Sequence, residues 1–185
     1  MKARLGTGTV FIATLLAAMA LGGSFYEALV VYPAWSAIPP ASFAVIQGPN
    51  AADSTPFWIL VHVTFEAVLL AALALNWRAP QRRTLLLIGL GIHVVMRAWT
   101  FVYFVPEILA FMSIPPEGPS SPELAARARL WGALGWVRRV LIAATSALVL
   151  LALMAPAEQG AAGQTKPKED TARGRRLGGA TDAEA

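Results

Sequence analysis

The sequence predicts an all-α bundle of four membrane-spanning helices. Three observations predict it: a membrane composition, four long apolar blocks, and basic residues gathered at alternate ends of those blocks. Of the 185 residues, 56% are hydrophobic and only 14% are charged, where a soluble domain carries roughly a quarter charged residues. The mean hydropathy is +0.56. Apolar residues come in runs near the ~20 that a helix needs to cross the hydrocarbon layer, so the bilayer is the core that they fill. Cysteine is absent, which excludes disulfides, thiolate metal centres, iron–sulfur clusters and cysteine nucleophiles. The pI is about 10.0, yet the formal charge is only +4. Because the basic residues flank apolar segments instead of forming one basic face, nucleic acid is not an expected partner.

The first span is predicted over 9–31, behind Lys2 and Arg4. Its opening, TVFIATLLAAMALGG, also reads as a signal peptide with a cleavage site at Ala18-Met19-Ala20. Cleavage would orphan the apolar stretch 25–35, so the segment is read as retained, a helix of ~23 residues running through Gly22 and Gly23. Pro33, Pro39, Pro40, Gly48 and Pro49 then predict a surface loop over 32–56. The second span is predicted over 57–75. Asn76, Trp77 and Arg78 end it with an aromatic and a cation at headgroup depth.

A basic turn with Arg82 and Arg83 leads into the third span, 84–104, which is expected to end near Pro106. Past a loop with Pro115, Pro116, Gly118 and Pro119, Ser121-Pro122-Glu123 reads as a helix N-cap, a proline at the first helical position and an acid in the first turn. Residues 124–129 are too polar for lipid and are predicted to lie above the membrane, while 130–154 form the fourth span, closed by Pro156. These spans make one domain, 1–156. The remainder, 157–185, lacks hydrophobic periodicity and is predicted to be a disordered cytoplasmic tail.

Four crossings put Lys2, Arg4, Arg78, Arg82, Arg83 and the tail's five Lys and Arg residues on one side. That side is predicted to be the cytoplasm of a bacterial-type inner (plasma) membrane, with both termini inside. Three crossings would split the same charges between the two sides.

Within the spans stand Glu27, His62, Glu66, His93, Arg97, Arg138 and Arg139. A charged side chain at a helix centre costs about 2.5–3.5 kcal/mol on insertion scales, so these groups are expected to face the bundle and pair. At 1.5 Å per residue, Glu66 lies roughly 13 Å below its outer helix end, Arg97 roughly 10 Å and Arg138 roughly 12 Å, with His62 shallower and His93 deeper. Opposite charges from three helices thus share a level, Glu27 closes the ring from above, and a polar pocket open towards the outer leaflet is predicted. His62 and Glu66 share a helix face, as do His93 and Arg97, because each pair is four residues apart. Arg139 is expected to snorkel or to bind a lipid headgroup.

No metal and no cofactor is expected. The two histidines differ by roughly 8 Å in counted depth, which argues against one metal ion using both. Bis-histidine haem needs facing histidines, and a di-iron site needs more carboxylates than Glu27 and Glu66. Trp35, Trp58, Trp77, Trp99, Trp131 and Trp136 fall near span ends and read as an interfacial belt. Tyr26, Trp99, Tyr103 and Trp136, which neighbour the charged residues in sequence, are the candidates for lining the pocket beside Glu27 and His93.

Several stretches carry a family resemblance: GGSFYEALVVYPAW with the following FAVIQGPN, TFVYFVPEI after the basic turn, and LWGALGWVRRVLIA on the last helix. In these the chain resembles the anthrone-oxygenase-like family of four-helix membrane proteins over about 9–154. The shared marks are a small-residue pair before Phe25 and Tyr26, then Pro33, Val105-Pro106, and a tryptophan preceding Arg138. Ile108 departs from the family, whose members often carry an asparagine at that place.

The resemblance implies oxygenation of a polyphenolic anthrone to the anthraquinone without an external cofactor, the substrate carbanion itself reducing dioxygen. Such chemistry asks for a base, a cation beside the enolate and the oxygen-derived anion, and an apolar cavity for a flat molecule. Carried onto this sequence, it implies His62 or Glu66 as base, Arg97 with Arg138 as anion stabilisers, and Trp99, Tyr103 and Tyr26 as walls. The expected partners are membrane lipid and a hydrophobic, polyphenolic or quinone-like small molecule, with a homo-oligomer or a protein partner also open. The same charges read equally as structural ion pairs in a noncatalytic scaffold or accessory subunit. A proton-coupled transporter is disfavoured by the lack of an internal inverted repeat.

Overall fold

Long runs of Leu, Ala, Val and Ile become helices in a bilayer because, without water, every backbone group must find its partner within its own segment. The computed structural model describes residues 1–157. There the chain forms four helices long and apolar enough to cross a membrane, Lys2–Ser36, Thr55–Leu75, Pro80–Ser113 and Pro122–Met154. This is the architecture of a multi-pass membrane protein, and all regular structure among the described residues is helical. The tail expected over 157–185 lies, from Glu158 onward, outside the described residues.

Two of the spans change pitch on the way. Helix α1, Lys2–Tyr26, passes through a π-helical turn, Glu27–Val31, into α2, Tyr32–Ser36. After α3, Thr55–Leu75, helix α4, Pro80–Trp99, passes through a second π turn, Thr100–Phe104, into α5, Val105–Met112; α6 is Pro122–Met154. Each π turn comes just ahead of a proline, Pro33 or Pro106. A proline has no N–H, and its ring crowds the carbonyl four residues back; a wider turn absorbs that misfit.

This corrects the expected ends at 31 and 104, since both helices continue beyond their prolines. Three starts also come earlier than expected, at Lys2, Thr55 and Pro80, while the last helix begins at Pro122 as its cap predicts. Pro56, Pro80 and Pro122 sit in first turns, where a missing N–H is harmless. Ser121 caps α6 as expected, its hydroxyl accepting the Leu124 N–H at 3.1 Å. At 33 residues, α6 is ~50 Å long and overshoots a hydrocarbon layer of ~30 Å.

Helix α1 lies between α3 and α6, and α6 packs in turn on α4. The consecutive pair α3 and α4 is the loosest seam. Val10, Ala13 and Ala17 of α1 form one core with Phe65, Leu69, Leu86, Val149 and Ala152, and the alanines let the backbones come close. The stretch that reads as a signal peptide is therefore a wall of the core.

The two ends differ in chemistry. At one, buried Arg82 donates from Nε to the Ala155 carbonyl (2.9 Å) and from Nη1 to Thr7 Oγ1 (2.9 Å) and Asn76 Oδ1 (3.1 Å), while Asn76 Nδ2 donates to the Gly6 carbonyl at 3.0 Å. That knot joins the start of α1, the end of α3, the start of α4 and the end of α6. At the other end, Trp35, Phe43, Phe111 and Trp131 form an aromatic cap. Gln47 Nε2 pins its loop to the Phe111 and Ile114 carbonyls at 3.0 and 2.8 Å.

Candidate functional site

Towards the aromatic cap, the loose seam between α3 and α4 opens into a cavity of about 500 Å3. Glu27, His62, Arg97 and Arg138 all border it. They arrive from four parts of the chain: the first π turn, α3, α4 and α6. Ile59, Phe101 and Leu109, more than half exposed, rim the opening. On a membrane span such exposure faces lipid, so the cavity opens sideways into the apolar layer.

The charges form two separate pairs instead of the single ring expected. Arg138 Nη2 donates to Glu27 Oε2 at 3.5 Å, and both side chains are largely buried. The Arg138 guanidinium also lies 4.3 Å from the Phe104 ring centre and 5.8 Å from that of Trp131, a cation held against aromatic faces. Across the seam, Arg97 Nε donates to Glu66 Oε1 at 3.1 Å, and His93 Nε2 lies 3.2 Å from the same oxygen. Arg97 rests over the Phe101 ring at 4.6 Å.

Glu66 itself does not border the cavity. Its side chain is 39% exposed on the outer side of the seam, where it holds Arg97 in place from behind. His93 is likewise set back, buried beside Phe65, with ring centres 5.0 Å apart.

Residues 96, 100, 104, 108 and 112 all line the cavity, as do 97, 101, 105 and 109. A strict spacing of four drifts about 40° per step on an α-helix, about 160° over such a stretch. The π turn inserts one residue and takes back about 100° of that drift, which keeps the stripe on one side. Trp99 and Tyr103 fall on the other stripe and pack into the aromatic cap. Tyr26 and Trp136 are 61% and 49% exposed on the outside of the bundle. These four therefore do not form the expected walls.

The walls are instead Trp35, Trp58, Phe101, Phe104 and Trp131. Trp58 stacks on His62, rings 5.4 Å apart and 20° from parallel. Proximity to span ends had marked three of these tryptophans as belt residues. The signal that could have found most of these walls is helical spacing: Trp58 stands four residues before His62, Phe101 and Phe104 four and seven after Arg97, and Trp131 seven before Arg138, each on the face of its charged or imidazole neighbour.

Two further expectations are corrected. Arg139 does not reach for the headgroups: it is 4% exposed and donates from Nε to the Ser24 carbonyl at 2.9 Å. A backbone acceptor on the neighbouring helix makes burial tolerable. The His62 and His93 rings, expected roughly 8 Å apart in depth, have centres 5.8 Å apart. Depth was counted from each helix's own end, and those ends are not level, since α5 carries its span past the predicted end. Among the described residues no three His, Asp or Glu side chains converge as a metal site would require.

Asp53, in the loop leading to α3, stands at the cavity mouth. Hydrogen bonding by Thr55, from its side chain and then its backbone N–H, holds the Asp53 carboxyl below its ordinary range. The whole can hold a flat apolar molecule with an acidic oxygen turned towards Arg97 and Arg138 and an imidazole within the same chamber. No family model, no curated protein and no solved structure matches the chain, so the anthrone-oxygenase-like resemblance stands on its motifs alone.

Proposed function

We propose that this protein is a small integral membrane oxidoreductase of the oxygenase type, acting on a flat hydrophobic molecule of polyphenolic or quinone-like character. The observation that carries the reading is the convergence of His62, Arg97, Arg138 and Glu27 on one apolar cavity of about 500 Å3. That volume falls within the ~300–1,000 Å3 typical of small-molecule sites. Its sideways opening suits a substrate dissolved in lipid. Basic residues at the Arg82 end support a bacterial-type inner membrane with both termini cytoplasmic.

His62 takes the proton from the substrate carbon lying between its carbonyl-conjugated rings, and the electron pair delocalises into an enolate beside Arg97 and Arg138. The carbanion reduces dioxygen, a C–O bond forms, and the resulting hydroperoxide keeps the second hydrogen of that carbon. Loss of water then breaks the O–O bond and leaves the carbonyl. One substrate and one dioxygen give one quinone and one water, so no other oxidant is needed. Glu66 acts as a positioning residue, holding Arg97 at the wall.

The test is dioxygen uptake and quinone absorbance with an anthrone supplied to the protein in nanodiscs. His62→Gln is expected to lower kcat about 10²–10⁴-fold, the usual contribution of a positioned base. Wild-type turnover by folded His62→Gln and Arg97→Gln would overturn the reading.

One observation favours a second reading, a noncatalytic scaffold or accessory subunit: Glu27, Glu66 and Glu107 are each already paired with an arginine on another segment. That reading expects a stoichiometric protein partner retained in mild detergent, and misassembly instead of a stable inactive protein when one charge is removed.

A further inference from the structure

Among the described residues two buried side-chain atoms lack a hydrogen-bond partner, His62 Nδ1 and Thr145 Oγ1. They belong to different helices, α3 and α6, yet both residues line the same small cavity of about 10 Å3. His62 is 7% exposed and Thr145 3%. Ser146 and His93 border this cavity too, and the rest of its wall is apolar.

Thr145 is unusual among its neighbours. Within a helix a hydroxyl with no other partner ordinarily bonds the carbonyl one turn back. Thr14 donates to Val10, Thr100 to Met96 and Ser146 to Ile142 in just that way, at 2.8–2.9 Å. Thr145 makes no such bond, which leaves its buried hydroxyl without a partner.

A space that needs no occupant is lined by apolar atoms, whereas a buried water sits where two to four polar groups meet in a space of at least about 10–15 Å3. This cavity meets that size, and it gathers both orphaned atoms. Ser146 Oγ, having donated its hydrogen, keeps a lone pair.

We propose that the cavity is a site for one ordered water molecule, held between His62 Nδ1 and Thr145 Oγ1. The water fixes the His62 tautomer, because a neutral imidazole must offer a donor at one nitrogen and an acceptor at the other. It also joins two histidines that share no direct bond. His93 borders the same cavity and is engaged through Nε2 by Glu66. A path of polar groups thus runs from the large cavity through His62, the water and His93 to Glu66 at the lipid-facing seam. As a route for the proton that His62 removes, this path rests on the proposed reaction; the water site does not.

The chain contains only two histidines, which makes the site accessible to spectroscopy. The experiment is magnetisation transfer from water to the imidazole nitrogens of 15N-histidine-labelled protein in nanodiscs, with His93→Gln used to assign the signals. Transfer to His62 Nδ1 is expected in the wild type, is lost in Thr145→Val, and persists in Thr145→Ser. Absence of transfer to that nitrogen in the wild type, or undiminished transfer in Thr145→Val, overturns the proposal. Should Thr145→Val fail to fold, Thr145→Ala takes its place with the same expected loss. None of these readouts involves turnover, so a failure here and a failure of the oxygenase reading are told apart.

Discussion

At the residue scale, the site is built from two ion pairs that share a cavity region but no atoms. Glu27–Arg138 is enclosed, whereas Glu66–Arg97 spans the loose seam with its carboxylate reaching lipid. In a double-mutant cycle, substitutions within a pair are expected to couple by about 0.5–3 kcal/mol, while one from each pair should add to within about 0.5 kcal/mol. Equilibrium unfolding in detergent measures both. Strong coupling between Glu27→Gln and Arg97→Gln would mean that the four charges act as one network. The existence of such pairs was legible in the sequence, because a charge in an apolar span must find a partner. Their pairing was not: Glu66, Arg97 and Arg138 stand at similar counted depth, and depth says nothing about which helices are neighbours.

At the scale of the element, the decisive feature is the change of pitch before Pro33 and Pro106. Span number was legible because length and hydropathy suffice for it. The cavity walls were not, because nearness in sequence to a charged residue singles out Tyr26, Trp99 and Trp136, and a residue one or two positions away on a helix points to a different face. Pro106→Ala restores the missing N–H and lets the turn relax to α-helix, which rotates α5 by about 100° and swings Ile108, Leu109 and Met112 off the cavity. Binding of a hydrophobic fluorescent probe is expected to weaken about tenfold, roughly 1.4 kcal/mol, and the melting temperature to fall as well, because the same rotation takes buried Phe111 out of the aromatic cap. A tighter contact lies on α6, where a Cβ at Gly132 would overlap the Tyr32 ring. Tyr32 is held there by its bond to the Ala128 carbonyl at 3.2 Å and by stacking on Trp131. Overpacking of this kind costs about 1–3 kcal/mol, so Gly132→Ala should lower the melting temperature while Gly8→Ala, with nothing within 4 Å of the added carbon, should not.

Across the whole molecule, a polar knot at one end and an aromatic cap at the other leave the middle of one seam free to open. Arg82 is the centre of the knot, joined to α1, α3 and the end of α6. Its burial serves packing, while the exposed Lys2, Arg4 and Arg78 and the half-buried Arg83 stand at the surface of that end, and basic residues so placed orient a chain in its membrane. Because the chain has no cysteine, single cysteines report that orientation without interference. Gln81→Cys, in the exposed turn beside the knot, is expected to react with a membrane-impermeant maleimide only after the inner membrane is opened. Ser120→Cys, in the loop beside the aromatic cap, is expected to react in intact spheroplasts. The reverse pattern would place the cap and the cavity mouth towards the cytoplasm. Labelling of both positions from one side would break the four-crossing topology, and with it the link between the basic residues and the direction from which a substrate is met.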